Sequence, residues 1–372
     1  MATLMIQDRT HILALDSLRG IAILMVLATH TNQGWTAALS IHKLMPATVN
    51  VFALPGWADM ILNGGVHGVT LFFVVSAFTL TKGRGQIIAD LWGYAVRRVA
   101  RVGPGYWLAG LVYTTWAGMD VHGITIRDVF IAVTFGSAWQ SGGALFVVPG
   151  GWSVSCEVAF YAALPAILLM IGSSAVRAAL LTLLAMAAVQ LWTRHLATTG
   201  QWNYTAYTHP LVQLPVFLCG ITAALIRPPP YRIVTACLIL AIGGIPFWRI
   251  IGSNYWVQSY LLFAVVAAVA TATSVQNAPA WLIVPALRRI GEVSYSMYLL
   301  HFALLVPSMW IAERAAPAGW PTLAVHMALT TGATVSLACL THRWVEQPFI
   351  RAGRMLLARR AKHQTLLRVE PT

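Results

Sequence analysis

The sequence predicts an all-α integral membrane protein of about ten transmembrane helices, and three observations predict it. Of the 372 residues, 58% are hydrophobic and 9% charged, which lies outside the make-up of a soluble domain; the mean hydropathy is +0.71. Apolar runs of about 17 to 22 residues recur along the whole length, enough to cross a hydrocarbon core of ~30 Å. The basic residues gather at alternate ends of these runs: with the N- and C-termini cytoplasmic, about 19 of the 24 Lys and Arg fall inside and about 5 outside. The net charge of +13 is therefore first a topology signal, and nucleic acid is not an expected partner. No stretch remains for a sizeable soluble domain.

Taken in order, the expected spans are 15–33, 60–81, 102–118, 152–171, 175–194, 209–226, 232–248, 255–273, 292–312 and 322–342. The first carries Asp16 and Arg19 and lacks a small-residue cleavage site after it, so it is expected to be a retained span rather than a signal peptide. After the second, the inner segment with Lys82, Arg84, Arg97, Arg98 and Arg101 is dense enough in charge to serve an anionic ligand or anionic lipid. The gaps 34–59 and 119–151 face outward on this topology. The second gap contains "VFIAVTFGSAW", too short to span and expected to re-enter or lie against the bundle. Short connectors such as "RPPPYR", "NAPAW" and "APAGWP" separate the later spans.

Beyond the last span, seven basic residues from Arg343 onward suit a cytoplasmic amphipathic helix on anionic lipid. The expected division is a membrane domain over 1–350 and a basic tail over 351–372. The cysteines Cys156, Cys219, Cys237 and Cys339 stand singly in apolar runs and read as small hydrophobes. Trp35, Trp57, Trp139 and Trp202 on outer loops suit either interfacial anchoring or stacking on sugar rings.

Three polar intrusions carry the candidate chemistry. At about 100° per residue, the eleven steps from Arg19 to His30 return to within about 20° of one helix face, roughly 16 Å apart along the axis. Asp16 shares that face. Each such group costs about 2.5 to 3.5 kcal/mol at the middle of a span, so the stripe should face the bundle interior or a wet cavity. In "GWSVSCEVAFYAALP", Glu157 enters an apolar helix with Ser153 and Tyr161 one turn to either side. Arg19, His30 or an incoming ligand are candidates to offset its charge. In "GEVSYSMYLLHF", Ser294, Tyr298 and His301 fall at i, i+4 and i+7 on one face, suited to a hydroxyl-rich substrate or to helix–helix hydrogen bonds. There is no G-x-S-x-G elbow, H-E-x-x-H, Walker loop or dinucleotide fingerprint, and no metal site is expected from the dispersed histidines.

In order along the chain, these stretches resemble the membrane-bound acyltransferase-3 family. "LDSLRGIAILMVLATH" is similar to its opening signature, a basic residue and a histidine with ten residues between them. "LFFVVSAF", "RRVARVGPGYW" and "WSVSCEVAFY" are similar to the next three motifs, and "GEVSYSMYLLH" and "VEQP" to the last two. The resemblance implies a ten-helix enzyme of the bacterial inner membrane that moves an acyl group, usually acetyl, from cytoplasmic acyl-CoA to a hydroxyl of a glycan or other acceptor. His30 then matches the essential histidine and Arg19 its basic partner, with Asp16 fixing Arg19. Arg98 and Arg101 match the Arg-x-x-Arg pair beside Arg97, which together would hold the phosphates of the acyl-CoA. Ser76 lies in the second motif on the donor side. Glu157 matches the acidic position of the fourth motif and would hold either the His30 tautomer or the acceptor. Tyr161, Ser294, Tyr298 and His301 are candidates for acceptor binding. One departure is visible: the family's Ser-Gly-Phe reads Ser76-Ala77-Phe78 here, adding a methyl where glycine permits close helix approach.

His30 would serve as general base on the acceptor hydroxyl or carry the acyl group itself. Larger members of the family carry an added esterase-like domain; with the sequence ending soon after Pro348, hand-over is expected within the membrane part. Surface glycans such as exopolysaccharide or lipopolysaccharide, or a lipid-linked oligosaccharide precursor, are the first expected acceptors, and a small molecule such as a macrolide the second. Two other classes fit the residues alone: a proton-coupled transporter or flippase, whose substrate movement follows a gradient without acyl-CoA, and a receptor-like scaffold that binds no CoA.

Overall fold

The computed structural model describes residues 2–34, 52–115, 125–140, 147–201, 204–226, 255–276 and 278–369, and every regular element among them is helical. The chain is an all-α membrane protein. Seven of its described helical stretches are long and apolar enough to cross a membrane.

Helix α1 (Ala2–Gln33) contains the first such stretch, Leu13–Gln33. A short α2 (Gly56–Asn63) passes through the 3-10 turn Gly64–His67 into α3 (Gly68–Lys82), so the second span is a broken helix. Helix α4 (Leu91–Thr115) starts eleven residues before the expected 102. Asp90 explains the early start, since its Oδ1 accepts from the Gly93 N–H at 2.9 Å and caps the helix. Arg97, Arg98 and Arg101 of the basic segment therefore lie on α4 itself, while Lys82 ends α3 and Arg84 lies between the two helices. Three tyrosines fasten this helix to its neighbours: Tyr94 donates to the Tyr161 carbonyl at 3.0 Å, Tyr113 to that of Leu299 at 2.7 Å, and Tyr295 donates to that of Val102 at 2.6 Å.

The short apolar stretch of the second gap forms α5 (Ile126–Val133), opened by a reciprocal capping box between Thr125 and Asp128. It lies against α4, with the Trp107 indole donating to the Val133 carbonyl at 3.2 Å, as the sequence led one to expect. Next come α6 (Gly151–Ile171), α7 (Ala175–Thr198), α8 (Pro210–Leu225) and α9 (Tyr255–Gln276). Helix α7 shows most of its apolar surface outward, Leu183 and Leu191 included, as a lipid-facing helix does.

The chain ends in α10 (Pro285–Glu292), α11 (Ser294–Ala315), α12 (Trp320–Thr341), a π-helical turn over His342–Glu346, and α13 (Gln347–Val369). Of the ten expected spans, that at 232–248 lies outside the described residues. Helices α4 and α8 occupy two more expected positions but fall outside the seven: α4 is interrupted by charge, and α8 has only 16 residues. Helix α13 runs through residue 350 and packs back on α4, where a Cβ on Gly353 would lie 3.0 Å from that of Ala100.

Two glycines set how closely the helices can meet. A Cβ on Gly291 of α10 would stand 1.7 Å from the Asp16 carbonyl oxygen, so only glycine allows α10 to press on α1 beside the Asp16–Arg19 pair. A Cβ on Gly220 of α8 would stand 2.9 Å from the Ala77 methyl and 2.4 Å from the Val74 carbonyl oxygen. The methyl that departs from Ser-Gly-Phe thus faces a glycine on the neighbouring helix.

Candidate active site

A cavity of about 130 Å³ opens between α1, α3, α4, α6 and α11. It gathers nine of the residues marked by the sequence: Arg19, Ser76, Arg98, Arg101, Ser153, Glu157, Tyr161, Ser294 and Tyr298. Residues 81 positions apart meet on one carboxylate. Ser76 donates to Glu157 Oε1 at 2.6 Å, and Tyr161, one turn along α6, donates to the same oxygen. Hydroxyl groups, rather than His30 or Arg19, are therefore the hydrogen-bond partners of Glu157, while Arg19 lines the same cavity.

Arg19 pairs with Asp16 at 3.2 Å. Asp16 itself looks into an adjoining recess of about 310 Å³ that shares Arg19 and Arg101 with the cavity and reaches Glu292, His342 and Gln347. Arg98 lies over the Tyr161 ring at 5.6 Å, and its buried Nε has no hydrogen-bond partner. Among the described residues, no carboxylate comes within 4.0 Å of either Arg98 or Arg101. Both guanidinium groups stand outside any ion pair of the described residues, on the cavity wall, where their planar forks have the geometry to meet carboxylate or phosphate oxygens. Arg97 is not part of it. It turns away from the cavity toward Asp90, 4.0 Å off, with over a third of its side chain exposed.

His30 stands just past this cavity, on the side away from the arginines. Its Nδ1 lies 3.1 Å from Nε2 of His301, and Phe302 packs on its ring at 4.5 Å between centroids. His301 is fully buried, with its Nδ1 2.7 Å from the Tyr298 carbonyl oxygen. Tyr298 joins the two zones: its hydroxyl reaches the Gly150 carbonyl at 3.0 Å and accepts from Ser153 at 2.8 Å, while its ring edges toward His301. The expected row of Ser294, Tyr298 and His301 is thus split, the first two at the cavity and the third behind them on His30.

Sequence reasoning passed over His326, a lone imidazole in an apolar helix that carries no spacing signal. It is fully buried, with one ring nitrogen 3.1 Å from the Thr31 carbonyl oxygen and the other 3.2 Å from that of Leu305. It ties α1 to α11 immediately beyond the two paired histidines. Among the described residues, no three of His, Cys, Asp and Glu are grouped to hold a metal ion.

The family described as an acyltransferase domain matches residues 12–343. Relatives with names extend along most of the chain at low identity. A Bacillus subtilis (strain 168) protein provisionally named a peptidoglycan O-acetyltransferase is 24% identical, over 95% of this chain and 57% of its own length. A Staphylococcus aureus (strain COL) protein provisionally named an O-acetyltransferase is 23% identical, over 92% of this chain and 58% of its own. The peptidoglycan O-acetyltransferase of Listeria monocytogenes serovar 1/2a is 22% identical, over 93% and 57% respectively. The chain therefore spans a little under three fifths of the length of these relatives. No solved structure matches it significantly.

Proposed function

Because the chain belongs to the acyltransferase-3 family, we propose that it transfers an acyl group, acetyl first among them, from cytoplasmic acyl-CoA to a hydroxyl of a cell-surface glycan or its lipid-linked precursor. Its place on this reading is the bacterial inner membrane, with the arginine end of the bundle toward the cytoplasm. The names of the relatives add peptidoglycan to the candidate acceptors.

One observation carries the proposal: a single cavity joins Arg98 and Arg101, which form no ion pair among the described residues, to a hydroxyl-ringed carboxylate, with His30 reached from the Tyr298 wall through His301. The arginines would take the phosphates of the donor. The thioester would reach along the cavity toward His30, past Ser76 and Tyr298. Glu157 offers its second carboxylate oxygen to an acceptor hydroxyl, and Arg19, held by Asp16 at the arginine end of the cavity, helps orient the donor.

In the direct route, the hydroxyl oxygen bonds to the thioester carbon, the C–S bond breaks, and the proton passes to His30 and on to the CoA thiolate. In the two-step route, His30 bonds to the acyl carbon as the C–S bond breaks and the thiolate leaves; the hydroxyl oxygen then bonds to that carbon as the C–N bond breaks, its proton passing to the CoA thiolate. Both need the same imidazole in the same place.

The test is release of CoA from acetyl-CoA by the purified protein with glycan acceptors. The wild type is expected to release CoA and acylate the acceptor, and a folded, membrane-inserted His30→Ala variant to do neither. Full activity in that variant, or gradient-driven substrate movement with no thioester consumed, would overturn the reading.

A further inference from the structure

We infer that His301 is a positioning residue that fixes the His30 ring as its neutral Nδ1–H tautomer, leaving Nε2 as the atom that enters acyl transfer. The inference rests on the reading of His30 as the transfer centre, and it names the reacting atom and the group that selects it.

The Tyr298 carbonyl has no proton to give, so at 2.7 Å the proton between it and His301 belongs to His301 Nδ1. A neutral imidazole has one N–H, so His301 Nε2 presents a lone pair. That lone pair sits 3.1 Å from His30 Nδ1, which must then be the donor. The proton of His30 is thereby placed on Nδ1, and its Nε2 carries the free lone pair.

A charged His301 would reverse the assignment, but its surroundings do not support one. The ring is fully buried, and among the described residues no carboxylate lies within 4.0 Å of either histidine. An imidazolium there would be an uncompensated charge inside the membrane bundle. The orienting group is thus a second imidazole backed by a main-chain carbonyl, where a buried carboxylate would otherwise be needed.

Either chemical route uses the atom so defined. As a base, His30 Nε2 accepts the hydroxyl proton while the oxygen bonds to the acyl carbon and the thiolate departs. As a carrier, Nε2 bonds to the acyl carbon as the C–S bond breaks to release the thiolate; the acceptor oxygen later bonds to that carbon as the C–N bond breaks, and the hydroxyl proton passes to the CoA thiolate. In both, the positive charge that forms on His30 is shared through Nδ1–H with His301.

The experiment compares His301→Gln, His301→Asn and His301→Leu in full-length protein in lipid nanodiscs, with acetyl-CoA as probe. Glutamine puts an amide at the position of Nε2 and can accept from His30; asparagine ends at the position of Nδ1 and cannot reach it; leucine can do neither. Glutamine is expected to keep kcat within about tenfold of wild type, while asparagine and leucine lose about 100-fold or more in kcat with the KM for acetyl-CoA little changed. Wild-type kcat in asparagine or leucine, or glutamine no better than leucine, would overturn the assignment.

Nitrogen NMR of histidine-labelled protein supplies a readout independent of activity and of how the leucine variant folds. The expected spectrum shows the His30 ring with its proton on Nδ1; a proton on Nε2 in the wild type overturns the inference. Absence of any acyl transfer by the wild type would instead sink the proposed function, and the NMR result would still decide the tautomer.

Discussion

Glu157 and Glu346 are both carboxylates drawn into an apolar bundle, and the two sites use similar materials to opposite ends. Glu346 is 1% exposed, with Ser296 donating to one oxygen and His342 Nδ1 2.9 Å from the other. His342 is in turn 2.9 Å from the Gln347 amide. Every member has a partner, and the cluster binds the π-helical turn after α12 to the start of α11. At Glu157 two hydroxyls converge on a single oxygen, and the other faces a cavity walled by arginines. A closed network holds helices together, whereas a network with one acceptor and two cations left over is ready for a ligand. Burial of a carboxylate alone does not tell a fastening from a site; the count of its filled hydrogen-bond positions does.

The comparison can be broken by exchanging the roles. Replacing Glu346 by Leu strands Ser296 and His342 in the interior and should cost about 3 kcal/mol or more of stability, read as a lower unfolding midpoint in detergent. A Glu346→Leu protein as stable as wild type, but inactive, would make that cluster part of the site instead. Glu157→Gln keeps the shape and should lower kcat about 100-fold with the unfolding midpoint little moved. A large loss of stability there would assign Glu157 a fastening role.

Smaller effects sharpen the picture. Arg98→Gln and Arg101→Gln should each raise the KM for acetyl-CoA about tenfold, the loss of one charge-assisted contact. Added salt should weaken donor binding by the wild type more than by the double variant. Arg97→Gln, whose side chain points to Asp90, should leave that KM unchanged. The smallest effect is expected at α5, where the hydrogen bonds from the Thr125 hydroxyl and backbone hold the Asp128 carboxyl below the usual carboxylate range. Its contribution is present above that range and lost as pH falls through the lowered value. Acid should therefore loosen α5 locally, seen as faster amide exchange at residues 125–128, and Asp128→Asn should remove the pH dependence without touching transfer.

The membrane class, most span positions and the residues of the cavity were legible because each depends on local pattern: run length, charge placement, and helical spacing within one segment. Arg19 and His30 fall on a single stripe, and Glu157 and Tyr161 are one turn apart. The unread features depend on meetings between distant segments. His301 lies 271 residues from His30 in sequence, and nothing in its own helix distinguishes a histidine that faces a cavity from one that meets another histidine. Arg97 and Arg98 are adjacent letters in one basic run, and only the position of Asp90 and the packing of α4 separate them. The early start of α4 is hidden because Arg97, Arg98 and Arg101 break its apolar run, so that the turns before 102 resemble a loop until Asp90 is recognised as their cap.

The central claim divides labour between a donor cavity at Arg98 and Arg101 and a reacting imidazole at His30. Acetyl-CoA binding and CoA release, measured on the same preparations of wild type and His30→Ala, test that division most directly. The account predicts that His30→Ala binds acetyl-CoA as tightly as wild type and releases no CoA above background. Release at the wild-type rate by His30→Ala would contradict it.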